Sequence, residues 1–262
     1  MGAYVAINEL PTWIEDHGSG PPVLLLHGGF GNSDDMLGAF APLAEQFRLV
    51  AFDRRGHGRT ADTEAAFHYS DMADEACGVL ERVVGEAAHL VGHSDGANVA
   101  LLVALRRADL VRSLVLVSAN YRADGLVPGV FDHFEPESEV ASQLLPAYAE
   151  RSPDGAEHFP VVMEKTMAMI AAEPTMTEAD LARVSAPALV LVGDDDIATM
   201  AHTCSLYESL PAGQLAVIPA ASHLVVYEKP ELVNALVTEF LTAEAPPQTL
   251  MPIRRSQSPG VG

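Results

Sequence analysis

The chain has 262 residues, 48% of them apolar and 19% charged, enough apolar content to build a sizeable core and unlike a disordered or fibrous chain. Thirty-six Asp and Glu against 15 Lys and Arg give a net charge of −21, which argues against nucleic acid, whose phosphates reward basic residues, and against anionic membrane surfaces. Cys77 and Cys204 make no metal-ligand or redox spacing and read as free thiols, so neither a metal nor a cofactor is expected.

From the start, the opening Met-Gly-Ala-Tyr-Val-Ala lacks the basic n-region and apolar run of a signal peptide. No stretch approaches the roughly 18 apolar residues of a membrane span, and a cytoplasmic protein is expected. Tyr4 to Leu10 and Thr12 to Asp16 predict an opening pair of strands, broken afterwards by Gly18-Ser-Gly-Pro-Pro22. Val23 to Leu26 is continuously apolar, as in a strand buried on both faces. Arg48 to Phe52, Ala88 to Val91, Leu114 to Val117, Ala188 to Val192 and Gln214 to Ile218 follow in the same way. Helices are predicted between them over Ser70 to Val84, Ala97 to Arg107, Met200 to Leu210 and Glu231 to Leu241. Strands alternating with helices imply an α/β fold with a mostly parallel, doubly wound sheet of eight strands.

The alternation fails between residues 121 and 176, where Pro128, Pro136, Pro146, Pro153, Pro160 and Pro174 punctuate short helical stretches. That stretch predicts an inserted helical cap, splitting the core into residues 1–120 and 177–244. The remainder, 245–262, reads as a disordered tail.

Gly92-His93-Ser94-Asp95-Gly96 lies between a predicted strand and a predicted helix, the context of a nucleophile elbow. A serine hydroxyl needs a neighbouring base at neutral pH. Of ten histidines, His223 alone follows a late strand and precedes the last helix, placing it on the sheet edge expected for Ser94. Gly193-Asp194-Asp195-Asp196 ends another strand at that edge and offers the acid that orients the base. For an oxyanion hole, the N–H of Asp95 and the N–H of Gly29, in His27-Gly28-Gly29-Phe30, are the candidate donors.

Taken together, these motifs resemble the α/β-hydrolase superfamily from Val23 to Leu241, including Asp53-Arg54-Arg55-Gly56-His57-Gly58. The resemblance implies Asp196 rather than Asp195 as the acid. It also implies a structural role for the Asp53 loop, whose two arginines could otherwise hold a substrate carboxylate. The Ser-Asp-Gly form is similar to that of valacyclovir-hydrolase-like members, in which Asp95 would read a substrate ammonium. A competing reading has Asp95 complementing the helix dipole. Phe30, Phe131, Phe134, Met163 and Met167, with Asp95, are the candidate substrate-binding residues.

The expected activity is hydrolysis of a carboxylic ester or lactone with a small to medium apolar acyl group. Amide, amino-acid-ester or carbon–carbon bond hydrolysis and cofactor-free haloperoxidase or lyase chemistry are the alternatives; a non-enzymatic binding protein is disfavoured by the full residue set. A small-molecule substrate is the expected partner, with a homodimer allowed.

Overall fold

The computed structural model describes residues 2–132, 134–135, 137–243 and 249–253. The tail expected over 245–262 therefore falls, apart from 249–253, outside the described residues. Strands β1 (Ala3–Ile7) and β2 (Leu10–Gly18) form a hairpin. Its turn is Asn8 and Glu9, both at positive φ (48° and 70°), inside the first predicted strand, and not Pro11, which the sequence reading left between its two strands. Pro11 is tolerated inside β2 because pairing to the next strand begins only at Ile14, so its missing N–H costs no bond on that side.

The chain then alternates: β3 (Pro22–Leu26), α1 (Ser33–Ala39), β4 (Arg48–Phe52), α2 (Tyr69–Val79), β5 (Ala88–His93), α3 (Asp95–Arg106) and β6 (Val111–Val117). Helices α4 (Glu139–Arg151), α5 (Phe159–Ala172) and α6 (Glu178–Leu181) intervene before β7 (Ala188–Asp195). Then come α7 (Met200–Ser209), β8 (Gly213–Ser222), α8 (Val225–Glu228) and α9 (Pro230–Leu241). The eight strands lie in the order β1-β2-β4-β3-β5-β6-β7-β8, with β2 antiparallel to both neighbours and every other pair parallel. This is the α/β-hydrolase fold.

Period-two alternation in buried strands divides the core between the two faces of the sheet. Val23 and Leu25 of β3 pack with Val91, Val115 and Leu191 under α1, α8 and α9. Leu24 and Leu26 pack with Leu90, Leu114 and Leu116 under α2 and α3. The short helix α1 carries no readable apolar period, but Asn32 and Asp35 form a capping box at its start. Beyond Val79, α2 runs on through one wide turn, Leu80–Val84, and stops at Gly85 in the left-handed conformation.

Charged contacts tie the helices between β6 and β7 to the rest. Arg151 Nε donates to Asp34 (2.9 Å), while His158 Nε2 and Lys165 Nζ reach Asp62 Oδ2 at 2.8 and 2.7 Å. Glu173 accepts from the Tyr69 N–H (3.0 Å) and contacts His68 Nδ1 at 2.6 Å. Both cysteines are free, and among the described residues no helix is long and apolar enough to cross a membrane.

Candidate active site

Parallel strands deliver their carboxyl ends to one edge of the sheet, and β5, β7 and β8 end there beside the loop that follows β3. Ser94 occupies the turn from β5 to α3 at φ 54° and ψ −120°, a strained conformation for a residue with a side chain. The turn closes only because its neighbours lack side chains. A Cβ on Gly92 would come 2.3 Å from the Gly96 carbonyl oxygen, and one on Gly96 would come 2.0 Å from that of Leu26.

The structure brings Ser94, His223 and Asp196 together, although they are separated by up to 129 positions in the chain. Ser94 Oγ lies 2.9 Å from His223 Nε2, and His223 Nδ1 lies 2.8 Å from Asp196 Oδ1. A carboxylate only accepts, so Nδ1 carries the proton and Nε2 is left free to accept from the serine. Burial works to raise the Asp196 pKa, but hydrogen bonds from His223, Ser118 Oγ (2.6 Å) and the Ala198 N–H (3.1 Å) outweigh it. The carboxyl is held below its usual range and is ionised at neutral pH. Asp194 and Asp195 are exposed, and Asp194 accepts from the Ala221 N–H, bracing the β7 and β8 ends.

Two supporting residues escaped the sequence reading. Ser118, directly after β6, holds the second Asp196 oxygen. A polar residue straight after a buried strand at the same edge was the available signal. His93 is 5% exposed and donates from Nε2 to the His223 carbonyl at 2.8 Å, anchoring the loop that carries His223. Burial, aided by the charge of His223, lowers its pKa to about 4, so it is a neutral anchor.

Opposite the serine runs the loop after β3, where a Cβ on Gly28 would lie 3.2 Å from Ser94 Cβ. Gly29 approaches the Asp95 side chain, its would-be Cβ 3.0 Å from Asp95 Oδ2. Asp95 opens α3, where first-turn N–H groups have no helical acceptor. Its carboxylate is 3% exposed, accepts from Tyr69 Oη at 2.5 Å and faces the Arg54 guanidinium at 3.9 Å. Burial, followed by the charge of Asp95, raises the Tyr69 pKa well above its usual value and keeps it a donor.

The two arginines of the Asp53 loop are committed internally. Arg54 is 1% exposed, and Arg55 pairs with Glu75. Phe30 stacks near Phe134 (6.4 Å between ring centres) and Phe134 meets Phe131 edge-on (4.9 Å). Met163 is buried and Met167 half-buried against the same apolar cluster, on α5. The 350 Å³ groove beside α5, along Phe67, His68 and Lys165, is lined by none of the three residues joined at Ser94.

The family model for the alpha/beta hydrolase family matches residues 23–236. The chain is 27% identical to the 2-(acetamidomethylene)succinate hydrolase of Mesorhizobium japonicum, across 91% of this chain and 94% of that one. Two solved structures share the fold at lower identity. One is a meta-cleavage product hydrolase from Pseudomonas fluorescens IP01 (TM-score 0.72, 21% identical, 92% of this chain and 97% of that one). The other is the enol-lactonase from Burkholderia xenovorans LB400 (TM-score 0.74, 22% identical, 92% and 100%). With the match running from the first buried parallel strand into the last helix, the chain belongs to the alpha/beta hydrolase family.

Proposed function

We propose that the protein is a serine hydrolase that cleaves a carboxylic ester or lactone with an apolar acyl group. The observation that carries this reading is the unbroken line Ser94 Oγ, His223 Nε2, His223 Nδ1, Asp196 Oδ1, with contacts of 2.9 and 2.8 Å. Ser94 Oγ adds to the carbonyl carbon while its proton passes to His223 Nε2. Asp196, already ionised, stabilises the imidazolium that results. The N–H groups of Gly29 and Asp95 receive the oxyanion. Collapse breaks the ester C–O bond, the leaving alcohol takes the proton from His223, and an acyl group remains on Ser94. Water, deprotonated by the same imidazole, then releases the acid and restores the serine.

Phe30, Phe131 and Phe134 form an aromatic group on the loop after β3 and the segment between β6 and β7, which acts as a cap. This supports an apolar acyl moiety. The placement of Asp95 favours a neutral substrate over an amino-acid ester, because its carboxylate is buried, accepts from Tyr69 and is closed over by Gly29. The names of the relatives span lactone and other hydrolytic substrates, so bond type is the open variable in the test.

A fluorophosphonate probe is expected to label Ser94, located by peptide mass spectrometry, and p-nitrophenyl esters graded by chain length are expected to turn over. An unlabelled but folded protein rejects the serine mechanism. Labelling together with inertness toward every ester and lactone moves the substrate to another acyl class.

A further inference from the structure

The Gly28 carbonyl is held by more donors than a turn requires. It accepts from Arg54 Nη2 (2.8 Å), from His27 Nδ1 (2.8 Å) and from the Gly31 N–H (3.3 Å). The Arg54 N–H in turn donates to His27 Nε2 (3.2 Å), which leaves the proton of neutral His27 on Nδ1, facing that carbonyl. Burial first, then the charge of Arg54 and the neighbouring His57, lowers the His27 pKa well below its usual value and preserves that form.

A peptide group is planar and trans, so its C=O and its N–H point to opposite sides. The N–H on the far side of the Gly28 carbonyl is that of Gly29. Whatever grips this oxygen therefore sets the direction of that N–H. The grip comes from a guanidinium 1% exposed, and taking such an ion out of water is costly. Its companions do not neutralise it by close pairing: Asp95 Oδ2 is 3.9 Å away, and Arg54 Nη1 faces the Met72 sulfur at 2.9 Å. A charged donor on the oxygen polarises the whole peptide and strengthens its N–H as a donor.

We propose that Arg54 is the positioning residue of the oxyanion hole. Its guanidinium clamps the Gly28 carbonyl, aiming and polarising the Gly29 N–H, and its contact with Asp95 ties that peptide to the residue bearing the second donor. This rests on the hydrolase reading above and on Gly29 as an oxyanion donor. It gives the Asp53 loop a part in turnover without any contact between Arg54 and substrate.

The test compares full-length wild type with Arg54→Met and Arg54→Lys. The readouts are p-nitrophenyl butyrate hydrolysis and the affinity for an aryl trifluoromethyl ketone, whose adduct on Ser94 carries the same oxyanion. Removing one oxyanion donor outright lowers kcat by about 100- to 1000-fold, so a misdirected one should lower it by roughly 30- to 100-fold. Arg54→Met is expected to fall in that range with KM changed less than about threefold and with ketone affinity weakened in parallel with kcat/KM. Arg54→Lys, which keeps the cation and one donor, should recover about tenfold of the loss.

A merely structural role would reduce the folded fraction, read by circular dichroism and thermal melting, without weakening ketone against substrate in the folded population. Arg54→Met with kcat within threefold of wild type, or with kcat lost at unchanged ketone affinity, overturns the assignment. Should Arg54→Met not fold, Arg54→Lys decides: ketone affinity equal to wild type overturns it, and a weakening that tracks kcat/KM supports it. Wild type that neither hydrolyses the ester nor binds the ketone overturns the hydrolase reading and this inference with it. Active wild type indifferent to Arg54 overturns the inference alone.

Discussion

The edge of the sheet around Ser94 and the attachment of the helices between β6 and β7 are built from opposite materials. At the edge, the buried, neutral His93, His223, a strained serine and the Asp196 carboxylate meet through hydrogen bonds of 2.6 to 2.9 Å. The helices α4 and α5 are held instead by ion pairs whose cations are partly exposed: Arg151 with Asp34, and Lys165 with Asp62, which His158 also contacts. Hydrogen bonds linked in one network fix directions closely, while ion pairs with partly exposed cations tolerate displacement and weaken with salt. On the proposed function, rigidity falls where the proton would move and compliance where the substrate would enter.

Breaking the rigid side should cost most. Ser94→Ala is expected to lower ester kcat/KM by at least about 10,000-fold while the protein stays folded; more than a tenth of the activity remaining would end its assignment as nucleophile. Asp196→Asn should follow at about 1000- to 10,000-fold, because the imidazole loses the partner that sets its tautomer. Steady-state kinetics on p-nitrophenyl butyrate would check both.

Acid should loosen the fold, at that edge through His93 and elsewhere through His57 and His202. His57, His93 and His202 are buried with pKa values lowered to about 3, 4 and 4 against 6.5 when exposed. The unfolded chain therefore binds more protons between those values. Their contribution is intact above pH 6.5 and is lost as pH falls toward 4, at up to about 1.4 kcal/mol per pH unit for each histidine. Urea unfolding at pH 7.5, 6.0 and 5.0 would register this, and a flat profile would contradict their neutral burial.

On the compliant side, Asp62→Asn removes the charge shared by His158 and Lys165 and should cost about 2–3 kcal/mol, since Asp62 is nearly buried. Fluorophosphonate labelling of Ser94 should persist in that variant; its loss would mean the two regions are not separable. Ser118→Ala is the mildest change, expected to lower kcat about tenfold by freeing one Asp196 oxygen. An unaltered rate would make Ser118 packing only.

Much of this was legible before any coordinates. The central strands β3 to β7 were visible because strands buried on both faces are largely apolar, and the elbow because Gly92 and Gly96 flank Ser94 where a Cβ would collide with backbone. The hairpin turn was misplaced because Asn8 and Glu9 signal a left-handed turn less loudly than Pro11 signals a break. The two arginines drew attention as anion binders, yet burial turned Arg54 inward to the Gly28 carbonyl.

Composition, periodicity and motif spacing determined the class of the sheet, which serine and histidine could meet and which run of aspartates lay beside them, since local rules set where strands end and turns tighten; the choice of Asp196 within that run came from the family resemblance. Only the tertiary structure decided what Asp95, Arg54, Ser118 and His93 do. Their roles depend on partners up to 130 residues away, and on burial that makes each unmatched charge expensive.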